Sequence, residues 1–245
     1  MMKSSIFKVQ FDDSVKEYSK ADGILAVAYF LYILLFLILF GLLVFRTDCI
    51  RQLFTLSRIP SKAIFKFVLF IPAVFIEAGP VFIILKCRKQ NLNSIGLKKE
   101  KILKSILLGI LFSIPPILYD RLKFDHSLSF PDALWDFACI FLEIALTEEI
   151  VFRGFIQTRI QGLIRSKWAS IILVGIMFSL LHIPFKLFQY HVSLMGYICM
   201  NASGLIITCL MHIYFVYLYT RDNNILAPAV AHAIIDFIPD LFSGM

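Results

Sequence analysis

From Gly23 to Phe45 the chain reads GILAVAYFLYILLFLILFGLLVF, an apolar stretch that contains no charged residue. A helix of this length can span the hydrocarbon core of a bilayer, which is about 30 Å thick. The stretch is longer than the apolar region of a signal peptide, and no small-residue cleavage site follows it. It therefore predicts a first membrane span that is retained.

The composition extends this prediction to the whole chain. Hydrophobic residues make up 59% of the 245 residues and charged residues 17%, with a mean hydropathy of +0.82. Soluble domains are only about 45–50% apolar. The recurring apolar runs predict an all-α fold, a polytopic transmembrane helix bundle of about seven spans, with six to eight left open. The expected spans are residues 23–45, 63–85, 102–119, 133–164, 168–185, a stretch within 192–219, and 225–241.

The net charge of +7 comes mainly from loops between the apolar runs. Basic residues in such loops set the orientation of a membrane protein, so no nucleic-acid partner is predicted. The most basic loop lies between residues 86 and 104, and it falls on the cytoplasmic side if the N-terminus is cytoplasmic. The five cysteines show no CxxC spacing, which argues against a disulfide framework or a thiolate metal site.

Two adjacent glutamates interrupt the fourth apolar run, in the stretch LTEEIVFRGF at residues 146–155. An ionisable group at membrane depth costs roughly 2.5–3.5 kcal/mol on insertion scales and is usually functional. Glu149 and Arg153 are four residues apart and are expected to form a structural ion pair. Glu148 points about 100° away from Glu149, so it must find a partner on another helix.

Later spans carry further ionisable groups. His182 lies in the fifth span, two residues before Pro184, which is expected to bend or end that helix. His232 and Asp236 are four residues apart in the last span and share a face. With Glu148, these side chains come from three helices, and in a bundle such groups project into a common core. They are the candidate catalytic residues.

Two kinds of chemistry suit this set of side chains. A carboxylate with one or two imidazoles can take a proton from water and stabilise the oxyanion formed at an amide carbonyl. Glu148, His182 and His232 could instead ligate zinc or another divalent metal, with water in an open position. The HExxH spacing of soluble zinc proteases is absent from the sequence. The cofactor therefore stays open between a divalent metal and none.

Other ionisable residues in apolar runs are interpreted as structural. His212 has no partner residue at helical spacing, and Glu77 and Glu143 are isolated carboxylates.

Three motifs, in this order on successive spans, resemble the CPBP intramembrane proteases: Glu148-Glu149-x-x-x-Arg153, Phe178-x-x-x-His182 and His232-x-x-x-Asp236. This family includes the type II CAAX prenyl endopeptidases and bacteriocin-immunity relatives. The segment Ser94-Ile-Gly-Leu97 is similar to the one that opens the family's domain. The resemblance covers roughly residues 94–240. It implies a division into an N-terminal segment with two transmembrane helices, residues 1–93, and a protease core, residues 94–245.

The resemblance implies that Glu148 activates water with help from His182, and that His232 and the residue at position 236 stabilise the oxyanion. The family commonly has asparagine at that last position, where this chain has Asp236. An ionised carboxylate cannot donate a hydrogen bond, so Asp236 cannot serve an oxyanion as asparagine does. The family is commonly named as metalloproteases. Whether this chain is a metalloprotease or a glutamate-type protease stays open.

The leading hypothesis is an intramembrane endopeptidase that hydrolyses a peptide bond of a membrane-associated protein or peptide, in CAAX-type or leader-peptide processing. Its partners are the lipid bilayer and a peptide or protein substrate. The expected location is a prokaryotic plasma membrane with a cytoplasmic N-terminus. One alternative is a non-catalytic membrane immunity protein that binds a partner. A proton-coupled transporter is less well supported, because no pair of Gly/Pro-interrupted segments occupies matching positions in two halves.

Overall fold

The apolar runs of the sequence become long helices. The computed structural model describes residues 8–57, 62–119 and 130–243, and none of these residues lies in a strand. Short 3₁₀ turns occur at Asp13–Glu17 and Leu92–Ile95. The helices are α1 (Lys20–Arg46), α2 (Cys49–Ser57), α3 (Lys62–Cys87), α4 (Ile102–Tyr119), α5 (residues 130–164), α6 (Lys167–Tyr190), α7 (Leu194–Asp222) and α8 (Leu226–Ser243).

Four of the described helices have the length and apolarity of membrane spans: Lys20–Arg46, Phe70–Cys87, Lys167–Tyr190 and Leu194–Asp222. Shorter apolar helices occur at Ile102–Leu118 and Leu226–Ile238. Apolar side chains such as Leu31, Leu35 and Leu39 of α1 are more than half exposed, as expected of a surface that faces lipid. These observations confirm the all-α membrane bundle. The predicted count of about seven spans is consistent with these six apolar helices and α5.

The structure corrects one local expectation and narrows another. The segment between the first two spans contains α2, although the sequence predicted only a loop there. Of the two outcomes expected at Pro184, a bend or an end of the helix, the end does not occur, because α6 continues to Tyr190. Proline is tolerated in membrane helices, where neighbouring groups and small local adjustments satisfy the backbone groups that it frees. The spans predicted near residues 192–219 and 225–241 are α7, which is kinked at Asn201, and α8.

The N-terminus of α1 is fixed by a capping box. The Ser19 side chain accepts from the Asp22 backbone N–H, and the Asp22 carboxylate accepts from the Ser19 backbone N–H. Asp22 also pairs with Arg88, whose Nε lies 2.9 Å from Oδ1, just beyond the end of α3. One carboxylate thus caps α1 and ties it to α3.

Helix α5 holds the centre of the bundle and alternates between two helical forms. It runs as α-helix over Phe130–Cys139, π-helix over Ile140–Ala145, α-helix over Leu146–Glu149, π-helix over Ile150–Gln157 and α-helix over Thr158–Ile164. All eight residues of the second π segment are buried. π segments are rare and frequently lie at functional sites. The two glutamates thus occupy a single α-helical turn between two wider ones.

The end of α5 is anchored to the turn at Leu92–Ile95. Arg159 is fully buried, and its guanidinium donates to the Ser94 carbonyl oxygen at 3.1 Å and to the Gln90 side-chain oxygen at 2.7 Å. Gly154 packs directly against Ile95, because a Cβ at Gly154 would lie 2.6 Å from the Ile95 carbonyl oxygen. The segment before α4 therefore fixes the position of α5.

Replacing Gly154 with alanine is expected to destabilise the bundle, because the new methyl group meets backbone that cannot easily move. Overpacking of this kind costs about 1–3 kcal/mol. Thermal unfolding of the purified protein in detergent would show a lower Tm. Gly79→Ala is the matched control, because a Cβ there meets nothing within 4 Å among the described residues and alanine favours the helix. Equal Tm values for the Gly154 variant and the wild type would contradict the close approach.

Candidate active site

The four predicted catalytic residues line one cavity of about 780 Å³. Glu148 reaches it from α5, His182 from α6, and His232 and Asp236 from α8. Most of the wall is apolar, including Val151, Phe152, Phe178, Leu181, Phe215 and Ile235. A concave, mostly apolar pocket with a few converging polar groups is the usual form of a binding or active site. The structure therefore brings the predicted residues together.

His232 connects most of the charged groups of the site. Its Nδ1 lies 3.0 Å from Oε1 of Glu149, and its Nε2 lies 3.3 Å from Oδ2 of Asp236 and 3.8 Å from Oε2 of Glu148. Because the carboxylate of Glu149 is a hydrogen-bond acceptor, the Nδ1 atom carries a proton and donates it. Nε2 is then directed toward Glu148 and Asp236 at the cavity wall.

Glu149 and Arg153 form the ion pair expected from their spacing, with Nη1 of Arg153 2.9 Å from Oε1 of Glu149 and both side chains 0% exposed. The guanidinium lies between two rings, 4.2 Å from the Phe178 centroid and 4.9 Å from the Phe215 centroid. The electron-rich face of an aromatic ring attracts a cation, and the attraction is stronger where the cation is shielded from water. Sequence reasoning missed the bond from His232 to Glu149, because spacing along one helix does not reveal which residue of another helix faces it.

Glu148 has the opposite environment to its neighbour. Its side chain is 27% exposed, and its Oε2 has no hydrogen-bond partner within the described parts of the chain. Oε2 itself is buried, so it is the exposed remainder of the side chain that lines the cavity, where a carboxylate can accept a proton from a bound molecule. We therefore interpret Glu148 as the candidate reactive carboxylate and Glu149 as a structural residue.

His182 is held by its own helix. Its Nδ1 lies 2.9 Å from the carbonyl oxygen of Phe178, one turn earlier, and its ring packs edge-on against the Phe178 ring at 4.9 Å. A carbonyl oxygen only accepts, so Nδ1 carries the proton and donates it. In the neutral ring Nε2 then keeps its lone pair, and it is the nitrogen of His182 that can accept a proton in the cavity.

The three residues that the sequence analysis treated as isolated, His212, Glu143 and Glu77, differ in whether they line the cavity. His212 is fully buried and its Nε2 lies 3.0 Å from Oε1 of Gln157, which fits the structural interpretation. Glu143 lies in the first π segment of α5 and does not line the cavity. Glu77, from α3, does line it. Sequence reasoning gave Glu77 no place in the site, because nothing in the pattern of α3 relates it to α5.

The described residues contain no group of three or more His, Cys, Asp or Glu side chains arranged to hold a metal ion. In His232, Nδ1 is bonded to Glu149, and Nε2 faces two carboxylates at ion-pair distances. As placed, Glu148, His182 and His232 do not fit a zinc centre. We assign none of them as a metal ligand, and zinc binding stays a prediction of the sequence.

Residues 130–238 match the family model described as Type II CAAX prenyl endopeptidase Rce1-like. The matched residues include Glu148, His182, His232 and Asp236, so the comparison confirms the resemblance predicted from the motifs. The description of that family names prenyl endopeptidases of the CAAX type. Ser94-Ile-Gly-Leu97 precedes the matched residues, and its resemblance stays a prediction. The chain matches no curated protein and no solved structure.

Replacing Arg153 with methionine is expected to destabilise the protein strongly, because Glu149 would lose its cation inside the bundle. Breaking a buried ion pair from one side costs about 3–5 kcal/mol. The measurement is the Tm of the purified variant in detergent.

The double variant Glu149→Gln with Arg153→Met removes both charges of this pair and should recover much of the lost stability. An Arg153→Met protein that unfolds at the wild-type Tm would show that the ion pair does not support the fold.

Proposed function

We propose that this protein is an intramembrane endopeptidase in which Glu148 activates water to attack a peptide bond. The observation that carries the proposal is the carboxylate of Glu148, which lines one cavity with His182 and His232 and whose Oε2 lies 3.8 Å from Nε2 of His232. A base and an imidazole on one cavity are the parts that amide hydrolysis needs. The match to a CAAX prenyl endopeptidase family supports the same reaction class.

In the proposed mechanism, a water molecule sits between the Glu148 carboxylate and Nε2 of His182. Glu148 accepts a proton from that water while the water oxygen attacks the carbonyl carbon. The lone pair on Nε2 of His182 accepts a hydrogen bond from the water and orients it. The carbonyl oxygen becomes an oxyanion, which a preorganised donor stabilises far better than bulk water does.

His232 supplies that donor when its Nε2 is protonated. Asp236 accepts from Nε2 at 3.3 Å and Glu149 accepts from Nδ1 at 3.0 Å, so two carboxylates hold the ring in place. The position that is commonly asparagine in the family here holds an acceptor. We therefore assign Asp236 to orienting His232, and the oxyanion contact to His232 alone. No step in this mechanism runs through a metal ion.

The proposed substrate is a membrane-associated peptide that carries an apolar group, of which a prenylated CAAX peptide is the leading candidate. The cavity of about 780 Å³ is lined mainly by apolar side chains, which suits a lipid chain or a hydrophobic peptide. The family description names prenyl endopeptidases.

Glu148→Gln is expected to lower kcat by about 10²–10⁴-fold, the usual contribution of a general base. The assay is release of the C-terminal peptide from an S-farnesylated CAAX peptide by the protein in liposomes. Glu143→Gln is the matched control, because Glu143 lies on the same helix and does not line the cavity. It should keep wild-type activity.

Unchanged cleavage by the Glu148 variant would remove the mechanism. If the wild type leaves the farnesylated peptide intact, comparison of membrane peptides from cells with the wild type and with the Glu148 variant tests other peptide substrates. The absence of any difference there would favour the non-catalytic partner-binding alternative.

Asp236→Asn is expected to keep most of the activity, because the amide oxygen can still accept a hydrogen bond from His232. Asp236→Ala should lower kcat, because the imidazole loses one of the two groups that hold it. Both rates are measured with the same peptide assay. If the asparagine variant is as impaired as the alanine variant, then Asp236 acts through its charge and not by orienting His232.

A further inference from the structure

Glu77 is a carboxylate of the active-site cavity that the proposed mechanism does not yet use. It lies on α3, outside the residues that match the family, and lines the same cavity wall as Glu148 and His182. The N-terminal part of the chain thus contributes an ionisable group to a cavity whose other candidate residues come from the matched part.

The backbone around Glu77 is held in place by α1. Pro80 has no N–H, so the carbonyl of Ile76, four residues earlier, lacks its helical donor. The hydroxyl of Tyr32 donates to that carbonyl at 3.0 Å. The hydroxyl of Tyr29 donates to the carbonyl of Glu77 itself. Two tyrosines of α1 therefore fix the turn of α3 that carries Glu77.

Tyr29 also connects this turn to the catalytic helix. Its ring is buried and packs edge-on against Phe155 of α5, with the centroids 5.3 Å apart. Phe155 lies on the helix that carries Glu148. The position of Glu77 relative to Glu148 is thus set by packed side chains of α1 and α5.

The side chain of Glu77 has no hydrogen bond or ion pair with any described residue. Arg153 binds Glu149, and Nζ of Lys186, at the cavity wall, donates to Gln189. Protonated His232 lies at ion-pair distance from Glu148, with Nε2 3.8 Å from Oε2, and no such pair with Glu77 occurs among the described residues. A carboxylate in an apolar cavity without a cation beside it is costly to ionise, so Glu77 is the one of the two that carries a proton.

We propose that Glu77 is the proton donor to the leaving amine in the reaction of this site. The inference rests on the proposed function, because it assigns the acid that completes the same hydrolysis. Glu148 takes one proton from the attacking water, and the C–O bond forms. The C–N bond then breaks as the Glu77 carboxyl gives its proton to the nitrogen. The proton on Glu148 afterwards returns to Glu77, so that one water is consumed and both carboxyls regain their starting states.

Glu77→Gln separates this role from a structural one, because glutamine keeps the size of the side chain and removes the transferable proton. The test uses two probes with the same S-farnesyl-cysteine acyl group. One is an S-farnesylated CAAX peptide, whose amine leaving group needs a proton. The other is the corresponding nitrophenyl ester, whose leaving group departs as an anion without one.

The Glu77 variant is expected to cleave the peptide about 10²-fold more slowly in kcat, the lower end of what a general acid contributes, and to hydrolyse the ester at the wild-type rate. Glu148→Gln should lose both activities, because both reactions need activated water. Glu77→Asp should recover part of the peptide cleavage. The Tm of each variant, measured in detergent, checks that the fold is kept.

A Glu77→Gln protein with a wild-type Tm that cleaves both probes at wild-type rates, or that slows on both equally, would overturn the assignment of Glu77 while leaving the proposed function intact. A variant with a lowered Tm and parallel losses on both probes would also overturn it, in favour of a structural role. A wild-type protein that hydrolyses neither probe, in cells whose membrane peptides do not differ between the wild type and the Glu148 variant, would remove the proposed function and this inference with it.

Discussion

The buried carboxylate of Glu149 is the constraint on which the site depends. Lipid competes with apolar contacts between helices, so packing alone gives a weak preference for one arrangement of a membrane bundle. An ionised group without a partner at this depth costs far more. Glu149 is fully buried, forms an ion pair with Arg153 within α5, and accepts a hydrogen bond from His232 of α8. The requirement to satisfy this carboxylate therefore fixes the two helices against each other, and the orientation of His232 follows from it.

The difference between the two adjacent glutamates is a difference of environment alone. Both have the same chemistry in isolation and occupy one turn between two π segments. The π segments shift the side chains on either side of that turn away from regular helical spacing; for example, the hydroxyl of Thr147 donates to the carbonyl of Leu142, five residues earlier. With Glu149 held by two partners, Glu148 is left facing the cavity with Oε2 unbonded among the described residues. In the proposed mechanism, the same turn thus supplies both the structural anchor and the general base.

The sequence predicted what depends on one helix at a time. Apolar runs located the membrane helices, and the i,i+4 spacings placed Glu149 beside Arg153 and His232 beside Asp236. The contacts between helices could not be predicted from spacing along one helix. The main examples are the hydrogen bond from His232 to Glu149 and the position of Glu77 in the cavity. The π segments were also missed, because no residue type marks where a helix widens. At Pro184 the sequence left a bend or an end of the helix open, and the local rule could not decide between them because the continuation of α6 to Tyr190 depends on neighbouring groups in the bundle.

The cavity wall draws on both parts into which the sequence divides the chain. Residues before position 93 contribute Ile33 and Leu37 of α1 and Glu77 of α3, and the remaining wall comes from the residues beyond it. A division at residue 93 stays a prediction from sequence resemblance, yet the site itself needs α1 and α3 to close one side. Because Tyr29 bonds the turn that carries Glu77 and packs on Phe155 of α5, any shift of the first two spans changes the spacing of the two cavity carboxyls. Substrate access and the proposed proton transfer would then both depend on α1 and α3. The N-terminal spans would thus affect a reaction whose other residues come from the family-matched part.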